Sequence, residues 1–167
     1  MKNVTYDTMI KISPTVDLQA WKGGLFMAQW NKDAEQVMAE RFDKDTVIAL
    51  ATVDEETPHV RFVNAIYTDG VFYFITDARS NKIRHMEKQP VVAIAGEWFT
   101  AHGRAVNLGP WVKEANQPIA RTLKRAFAAW IDNGHHDLQD VNTCIVRIDL
   151  TDGALFSHGT RYDIGGE

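Results

Sequence analysis

The sequence has 167 residues, of which 45% are hydrophobic and 24% charged, and its formal net charge is −4. This composition is typical of one globular domain, here residues 1–167, with 1–27 as a poorly defined N-terminal extension. The acidic balance argues against a nucleic-acid partner. No apolar run reaches the ~18 residues of a membrane span, and no secretory leader is recognisable. The single cysteine, Cys144, excludes an internal disulfide, and we expect a cytoplasmic protein without a membrane partner.

Three helices are predicted from the periodicity of apolar residues. The first covers 31–42, where Asn31 or Asp33 can cap the N-terminus. A short second helix covers about 80–88. The third, over 112–132, is predicted to be the longest, because apolar residues recur along it at intervals of three and four residues.

Segments rich in β-branched and aromatic residues predict six or seven strands. Thr68–Asp69–Gly70 is the strongest hairpin turn, because glycine accepts a positive φ, and another turn is predicted at Thr151–Asp152–Gly153. Gly96 and Gly103 are the predicted sites of a bulge or sharp bend. The predicted strands are 46–53, 59–67, 71–76, 91–108 as two strands or one long bent strand, 142–150 and 153–158.

The order of these elements predicts the fold class. Strands follow one another through short turns and do not alternate regularly with helices, which argues against a doubly wound parallel sheet. We therefore predict a mainly β protein with peripheral helices (α+β), built as a six- to seven-stranded antiparallel barrel that is closed or nearly closed.

A group of basic and hydroxyl residues predicts an anion-binding site. A strand ends at Thr76 and a helix begins near Ser80, so unpaired backbone N–H groups and the helix dipole meet there. Lys82 adds a point charge in the first turn. Arg61, in mid-strand among apolar residues, offers a planar fork to phosphate oxygens. A capped helix with a solvated lysine is the alternative, and these residues alone favour the two interpretations about equally.

The same residues carry a family resemblance. The motifs A-T-V-D, P-H-V-R-x-V, D-G-x-x-Y-F-x-T, S-x-K, Q-P-V-V-A and G-R-A occur in this order between residues 46 and 108. In this the sequence resembles the pyridoxamine 5′-phosphate oxidase-like family of FMN-binding split barrels; 28–45 and 142–158 match more loosely. The oxidase's W…R-L-x-P ending is not found, which favours the general-stress-protein-like branch. The resemblance implies a split β-barrel, FMN as cofactor, and a homodimer with flavin at the subunit interface.

The resemblance also implies a set of FMN contacts. Arg61 would bind the phosphate, and the Ser80–Asn81–Lys82 turn would complete its cradle. Residues 62–64 would lie along the isoalloxazine ring, and 75–76 would flank the phosphate and the ribityl chain. Trp98 would stack on or flank the ring, the alternative being an aromatic residue of the barrel or dimer core. The implied contacts are Arg61, Phe62, Val63, Asn64, Ile75, Thr76, Ser80, Asn81, Lys82 and Trp98.

Other residues are weaker candidates. The family has an arginine where Asn81 stands, and Arg79 or Arg84 are the candidates to replace it. His135–His136–Asp137 suggests a metal at first sight, but adjacent residues point apart on regular elements, so no metal is expected. Cys144 lies in an alternating strand and is interpreted as a small buried hydrophobic residue.

Two classes of function follow from these predictions. The first is an FMN-dependent oxidoreductase that acts on a small molecule by hydride or electron transfer, with no catalytic residue assigned. The second is a non-catalytic flavin-binding or sensing protein, or a haem or deazaflavin binder on the same fold. A haem binder would need an axial histidine, for which the candidates are His59, His85, His102 and His158.

Overall fold

The computed structural model describes residues 30–134 and 137–165. The expectations for residues 1–27 and for His135–His136 lie outside this part. Within it, no group of three or more histidine, cysteine or acidic residues could hold a metal ion. Among the described helices, none combines the length and apolarity needed to cross a membrane.

Seven strands and three α-helices make up the described chain. A short 3₁₀ helix, Glu114–Asn116, precedes the last α-helix. In chain order the elements are α1 Lys32–Phe42, β1 Thr46–Asp54, β2 Thr57–Thr68, β3 Val71–Asp77, α2 Asn81–Lys88, β4 Val91–Gly96, β5 Phe99–Pro110, α3 Gln117–Ala126, β6 Thr143–Ser157 and β7 Thr160–Ile164.

The strands close into an antiparallel barrel. The sheet order is β3-β2-β1-β4-β5-β6-β7, and β3 also pairs with β6, so six strands form a ring and β7 extends it from β6. This confirms the predicted fold class. The segment 91–108 forms two strands, which meet at a turn formed by Glu97 and Trp98.

Alternation along the strands places apolar side chains inside the ring. In β1, Ile48 and Leu50 are fully buried, whereas their neighbours on the strand are less buried. Helix α1 begins as predicted, because the Asn31 side chain accepts a hydrogen bond from the Ala34 backbone N–H at 2.8 Å. Its last residue, Phe42, packs among the barrel aromatics, with its ring centroid 5.7 Å from that of Phe72. The helix therefore covers one side of the core.

The prediction for the C-terminal strands was wrong about where the chain turns. Residues 142–158 do not form two strands around a turn; β6 runs through Thr151–Asp152–Gly153. His102 pairs with Asp152 but Gly103 pairs with Leu150, so Thr151 is the extra residue of a bulge. A Cβ on Gly153 would lie 2.7 Å from the Thr100 carbonyl oxygen, so this glycine allows close strand approach and makes no turn.

Strand β7 was not predicted. It follows a two-residue turn in which His158 and Gly159 both have positive φ, 48° and 78°. This is the geometry that suits the twist of a hairpin. Histidine stands at its first position, where asparagine or aspartate is typical, so the sequence signal is weaker here than at Asp69–Gly70.

The predicted helix over 112–132 is also shorter in the structure. Helix α3 ends at Ala126, and the chain continues through turns to residue 133. Its apolar spacing is nevertheless used, because Leu123, Phe127 and Ile131 are all buried in a second cluster against Ile145 on the outside of the barrel. Apolar residues at intervals of four therefore continue from α3 into the tight turns that follow it. Packing of these residues on the barrel stabilises both the helix and the turns.

Candidate functional site

The barrel is split between β2 and β3. These strands pair only from Ala65 opposite Phe74 to Thr68 opposite Val71. Before Ala65, β2 pairs with β1, and after Phe74, β3 pairs with β6. The facing edges of 59–64 and 75–77 therefore keep backbone N–H and C=O groups that the ladder between these two strands does not use.

A groove of about 420 Å³ occupies this split. Six of the ten contacts implied by the sequence line it, from both strands and from α2. The turns after α3 contribute two further residues. The lining residues are Phe62, Val63, Asn64, Ile75, Thr76, Lys82, Trp130 and Asn133.

Lys82 and Arg61 form a pair of cations at one end of the groove. Lys82 Nζ donates to Thr76 Oγ1 at 2.7 Å. Burial lowers the pKa of Lys82, and the nearby positive charge of Arg61 lowers it further. Burial also lowers the pKa of Arg61. Among the described residues neither cation lies within 4.0 Å of a carboxylate oxygen, so their mutual repulsion favours an anion between them.

Ser80 completes this end of the groove. It is the N-cap residue of α2, yet its side chain makes no capping hydrogen bond. Its Oγ atom is buried and has no hydrogen-bond partner within the described chain. Serine usually caps through this oxygen, and an unsatisfied buried hydroxyl costs roughly 1–3 kcal/mol. The hydroxyl and the first N–H groups of α2 are therefore donors that could serve an anion such as a phosphate.

Two acceptors on β1 position the Arg61 side chain. Its Nη1 donates to Thr52 Oγ1 at 2.7 Å and to the Leu50 carbonyl oxygen at 3.2 Å. Thr52 Oγ1 in turn lies 3.0 Å from Nδ1 of buried His85. Because arginine only donates, the threonine hydroxyl proton is available to His85, whose pKa is lowered by burial. Arg61 makes no other hydrogen bond in the described chain, so Nε and Nη2 remain for a ligand.

The two candidates to replace the family's missing arginine, Arg79 and Arg84, both lie beside carboxylates. Arg79 donates to Asp77 from Nε at 3.0 Å and from Nη2 at 2.6 Å, and its backbone N–H donates to the same carboxylate. Arg84 lies 3.7 Å from Asp54. Both predicted substitutes are thus paired with carboxylates among the described residues.

The opposite end of the groove contains residues that the sequence did not reveal. Trp130 Nε1 donates to Asp45 Oδ2 at 2.6 Å, and Asn64 Nδ2 donates to Asp45 Oδ1 at 2.8 Å. In the sequence Trp130 belongs to the apolar stripe of the third helix and Asp45 to a loop. Only the end of α3 at Ala126 brings the indole to the split, so no local signal could have found it.

Trp98 does not line the groove of its own chain. It lies in the turn between β4 and β5 with φ 54°, and it is 61% exposed. The neighbouring outer surface of β2, β1 and β4 is apolar; Phe62 lies opposite Ala49, and Ala49 lies opposite Ala95. We call this surface the outer apolar face; its members are Val47, Ala49, Ala51, Val60, Phe62, Val91, Ala93 and Ala95.

The other candidates have structural partners. His59 packs against His85, with ring centroids 4.8 Å apart. His102 Nδ1 lies 2.7 Å from Asp152 Oδ1, and this hydrogen bond raises the pKa of His102. Cys144 is buried, and burial raises the pKa of its thiol to about 11, so it is a neutral core residue as predicted.

The sequence profile of the pyridoxamine 5′-phosphate oxidase family matches residues 34–153, from α1 into β6. The chain belongs to this family. The matched range contains every groove residue, five strands of the ring and most of β6, so the predicted resemblance is confirmed. A search of curated proteins gave no match.

Solved structures with the same fold include proteins of this family. A pyridoxamine 5′-phosphate oxidase-related, FMN-binding protein from Nostoc punctiforme is 18% identical, with a TM-score of 0.54 over 84% of this chain and 91% of that one. General Stress Protein 26 from Bacillus anthracis is 19% identical, with a TM-score of 0.57 over 72% and 91%. A haem-binding protein from Mycobacterium smegmatis is 16% identical, with a TM-score of 0.60 over 80% and 57%. At these identities the likeness shows the fold.

Proposed function

We propose that this member of the pyridoxamine 5′-phosphate oxidase family binds FMN in the split between β2 and β3. The protein then acts as an oxidoreductase on a small molecule. The observation that carries the proposal is the pair of half-buried cations, Arg61 and Lys82, beside the unsatisfied Ser80 hydroxyl. A phosphomonoester supplies the charge and the acceptor oxygens that these three groups lack.

The groove has a place for each part of FMN. The phosphate belongs at the α2 end, where Thr76 and the N–H groups at Asn81 and Lys82 add donors to those of Arg61 and Ser80. The ring belongs along residues 62–64 and beside Ile75, where apolar side chains and unpaired backbone edges match a flat ring with a polar rim. Bound flavin supplies hydride and electron transfer, and the chain binds and orients it.

Haem fits the groove less well. The fold neighbour from Mycobacterium smegmatis is described as haem-binding, but none of the four described histidines lines this groove. His85 and His102 are engaged by Thr52 and Asp152. The half-buried cations and the free serine hydroxyl favour a phosphate-bearing ligand instead.

The absorption spectrum of freshly purified protein tests the proposal. We expect a two-band flavin spectrum, either as isolated or after reconstitution, and FMN as the compound released on denaturation. A Soret band, a deazaflavin spectrum, or a colourless protein that FMN does not reconstitute would overturn it. Oxidation of NADH or NADPH by the flavin-loaded protein, followed at steady state with oxygen or a small quinone as acceptor, separates an oxidoreductase from a passive flavin binder.

A second copy of the chain completes the proposed site. Phe62 lines the groove and is 76% exposed, so the groove opens towards the outer apolar face. Burying this face against its counterpart in a homodimer removes apolar area from water and closes the groove. Trp98, exposed beside that face, is then proposed to contact the flavin held mainly by the partner.

Val60→Asp is expected to convert the dimer into a monomer, because it places a charge within the outer apolar face. Val60 is 68% exposed in the single chain, so the fold itself should tolerate the change. Light scattering after size-exclusion chromatography gives the mass. Val141→Asp is the matched control, since Val141 is 67% exposed in the loop before β6, outside this face. Equal masses for Val60→Asp and wild type would contradict the dimer proposal.

A further inference from the structure

We infer that Trp130, held by Asp45, forms the wall against which the ring system of the bound flavin packs. The turn after α3 therefore defines the ring end of the site. This inference rests on the proposed function, and it adds a contact that comes from outside the barrel strands.

The position of Trp130 identifies which end of the groove it closes. Asp45 joins the Trp130 indole to the Asn64 amide through its two carboxylate oxygens, at 2.6 and 2.8 Å. Asn64 lies three residues after Arg61 on an extended strand, which separates their Cα atoms by about 10 Å. An extended ribityl phosphate arm covers a similar span. Because Lys82 and Trp130 line the same groove, a phosphate bound beside Lys82 and Arg61 leaves the ring to lie along residues 62–64, towards Trp130.

The orientation of the indole is fixed on two sides. Its N–H is donated to Asp45, and one face packs on Phe127 with ring centroids 4.7 Å apart and an interplanar angle of 30°. Phe127 is itself fully buried in the cluster between α3 and the barrel. A side chain held in this way loses little freedom when a ligand binds, so its contact contributes more affinity than that of a mobile surface aromatic.

The chemistry of the wall suits a flavin. Isoalloxazine is a flat, electron-poor ring, and indole is an electron-rich one, so offset stacking between them is favourable. Asp45 is a positioning residue, because its carboxylate accepts from both Trp130 and Asn64. An asparagine at this position has a single acceptor oxygen and can keep only one of the two bonds.

The test compares FMN with riboflavin, which lacks the phosphate. Trp130→Ala is expected to weaken binding of both ligands by the same factor, roughly tenfold, since aromatic contact is lost and phosphate contact is kept. Trp130→Phe should retain most of the affinity, because a phenyl ring still packs on Phe127. Asp45→Asn should weaken both ligands by a smaller factor than Trp130→Ala.

The fluorescence of bound FMN is the second readout. Indole in contact with a flavin quenches its emission by electron transfer. Trp98 is the other indole proposed to contact the ring, so the comparison is made in a Trp98→Phe background, where the emission per bound FMN should rise several-fold on Trp130→Phe. Trp111→Phe is the matched control, because Trp111 is buried in the same cluster but does not line the groove. Thermal unfolding of each variant checks that the fold is intact.

The outcomes separate the two proposals. A wild-type protein that binds neither flavin overturns both. A protein that binds FMN with unchanged affinity and emission in the Trp130 variants overturns the aromatic wall and leaves the proposed function standing. A loss confined to FMN, with riboflavin unaffected, would place the indole at the phosphate and would also overturn the wall.

Discussion

Replacing Arg61 and Lys82 together by alanine is expected to weaken FMN binding by roughly 10²- to 10⁴-fold and to leave riboflavin binding almost unchanged. A hydrogen bond to a charged group contributes about 1.5–3 kcal/mol, two such contacts are lost, and about 1.4 kcal/mol corresponds to a factor of ten. Titration calorimetry or quenching of flavin fluorescence gives both dissociation constants. The difference between the ligands isolates the phosphate.

The matched control is Arg84→Ala with Lys88→Ala. It also removes one arginine and one lysine, here both from α2, and both side chains are exposed and lie beside Asp54. FMN affinity should change little, apart from a small salt-dependent effect. If Arg61→Ala with Lys82→Ala weakened FMN and riboflavin equally, the two cations would not be the phosphate site.

Phe72→Ala is expected to lower the free energy of unfolding by about 3–5 kcal/mol, which is typical of truncating a buried phenyl ring. Phe72 is fully buried, and its ring lies 5.7 Å from Phe42, 5.2 Å from Tyr67 and 5.7 Å from Phe99. Its loss leaves a cavity where α1 meets the barrel. For a domain of this size the melting temperature should fall by roughly 10 °C.

Chemical denaturation of the ligand-free protein at fixed concentration measures this loss. Phe72→Leu, which fills most of the cavity, should cost clearly less. Both variants should bind FMN normally at temperatures at which they are folded, because Phe72 does not line the groove. Equal stability of wild type and Phe72→Ala would mean that this aromatic cluster does not hold the core together.

The strands β1 to β5 could be predicted because their signals are local. The alternation in β1 and the Thr68–Asp69–Gly70 turn depend only on neighbouring residues. The C-terminal strands were harder, since Asp152–Gly153 and His158–Gly159 are both plausible turns by residue type. Which of them turns the chain is decided by the hydrogen bonds that β6 makes with β5, and β5 is distant in sequence from β6.

The candidate site also contains some residues with local sequence signals and others that only the tertiary structure brings together. Arg61, Ser80 and Lys82 could be predicted because a strand arginine and a helix start have recognisable chemistry. The link from Asp45 to Trp130 spans 85 residues and exists only because α3 stops at Ala126. Trp98 cannot be interpreted within one chain at all, since its predicted role needs a second copy.

Closure of the ring by β3 and β6 also constrains how the chain folds. Val71 pairs with Asp149 and Asp77 pairs with Thr143, so β3 can pair with β6 only after roughly 70 further residues have been synthesised. Pairing between segments so far apart in sequence slows folding. During synthesis the edge of β3 therefore stays unpaired until β6 has been made, although the turn proposed to bind phosphate has already been synthesised. A nascent chain that captured FMN early would gain stability from it only once β6 had emerged from the ribosome.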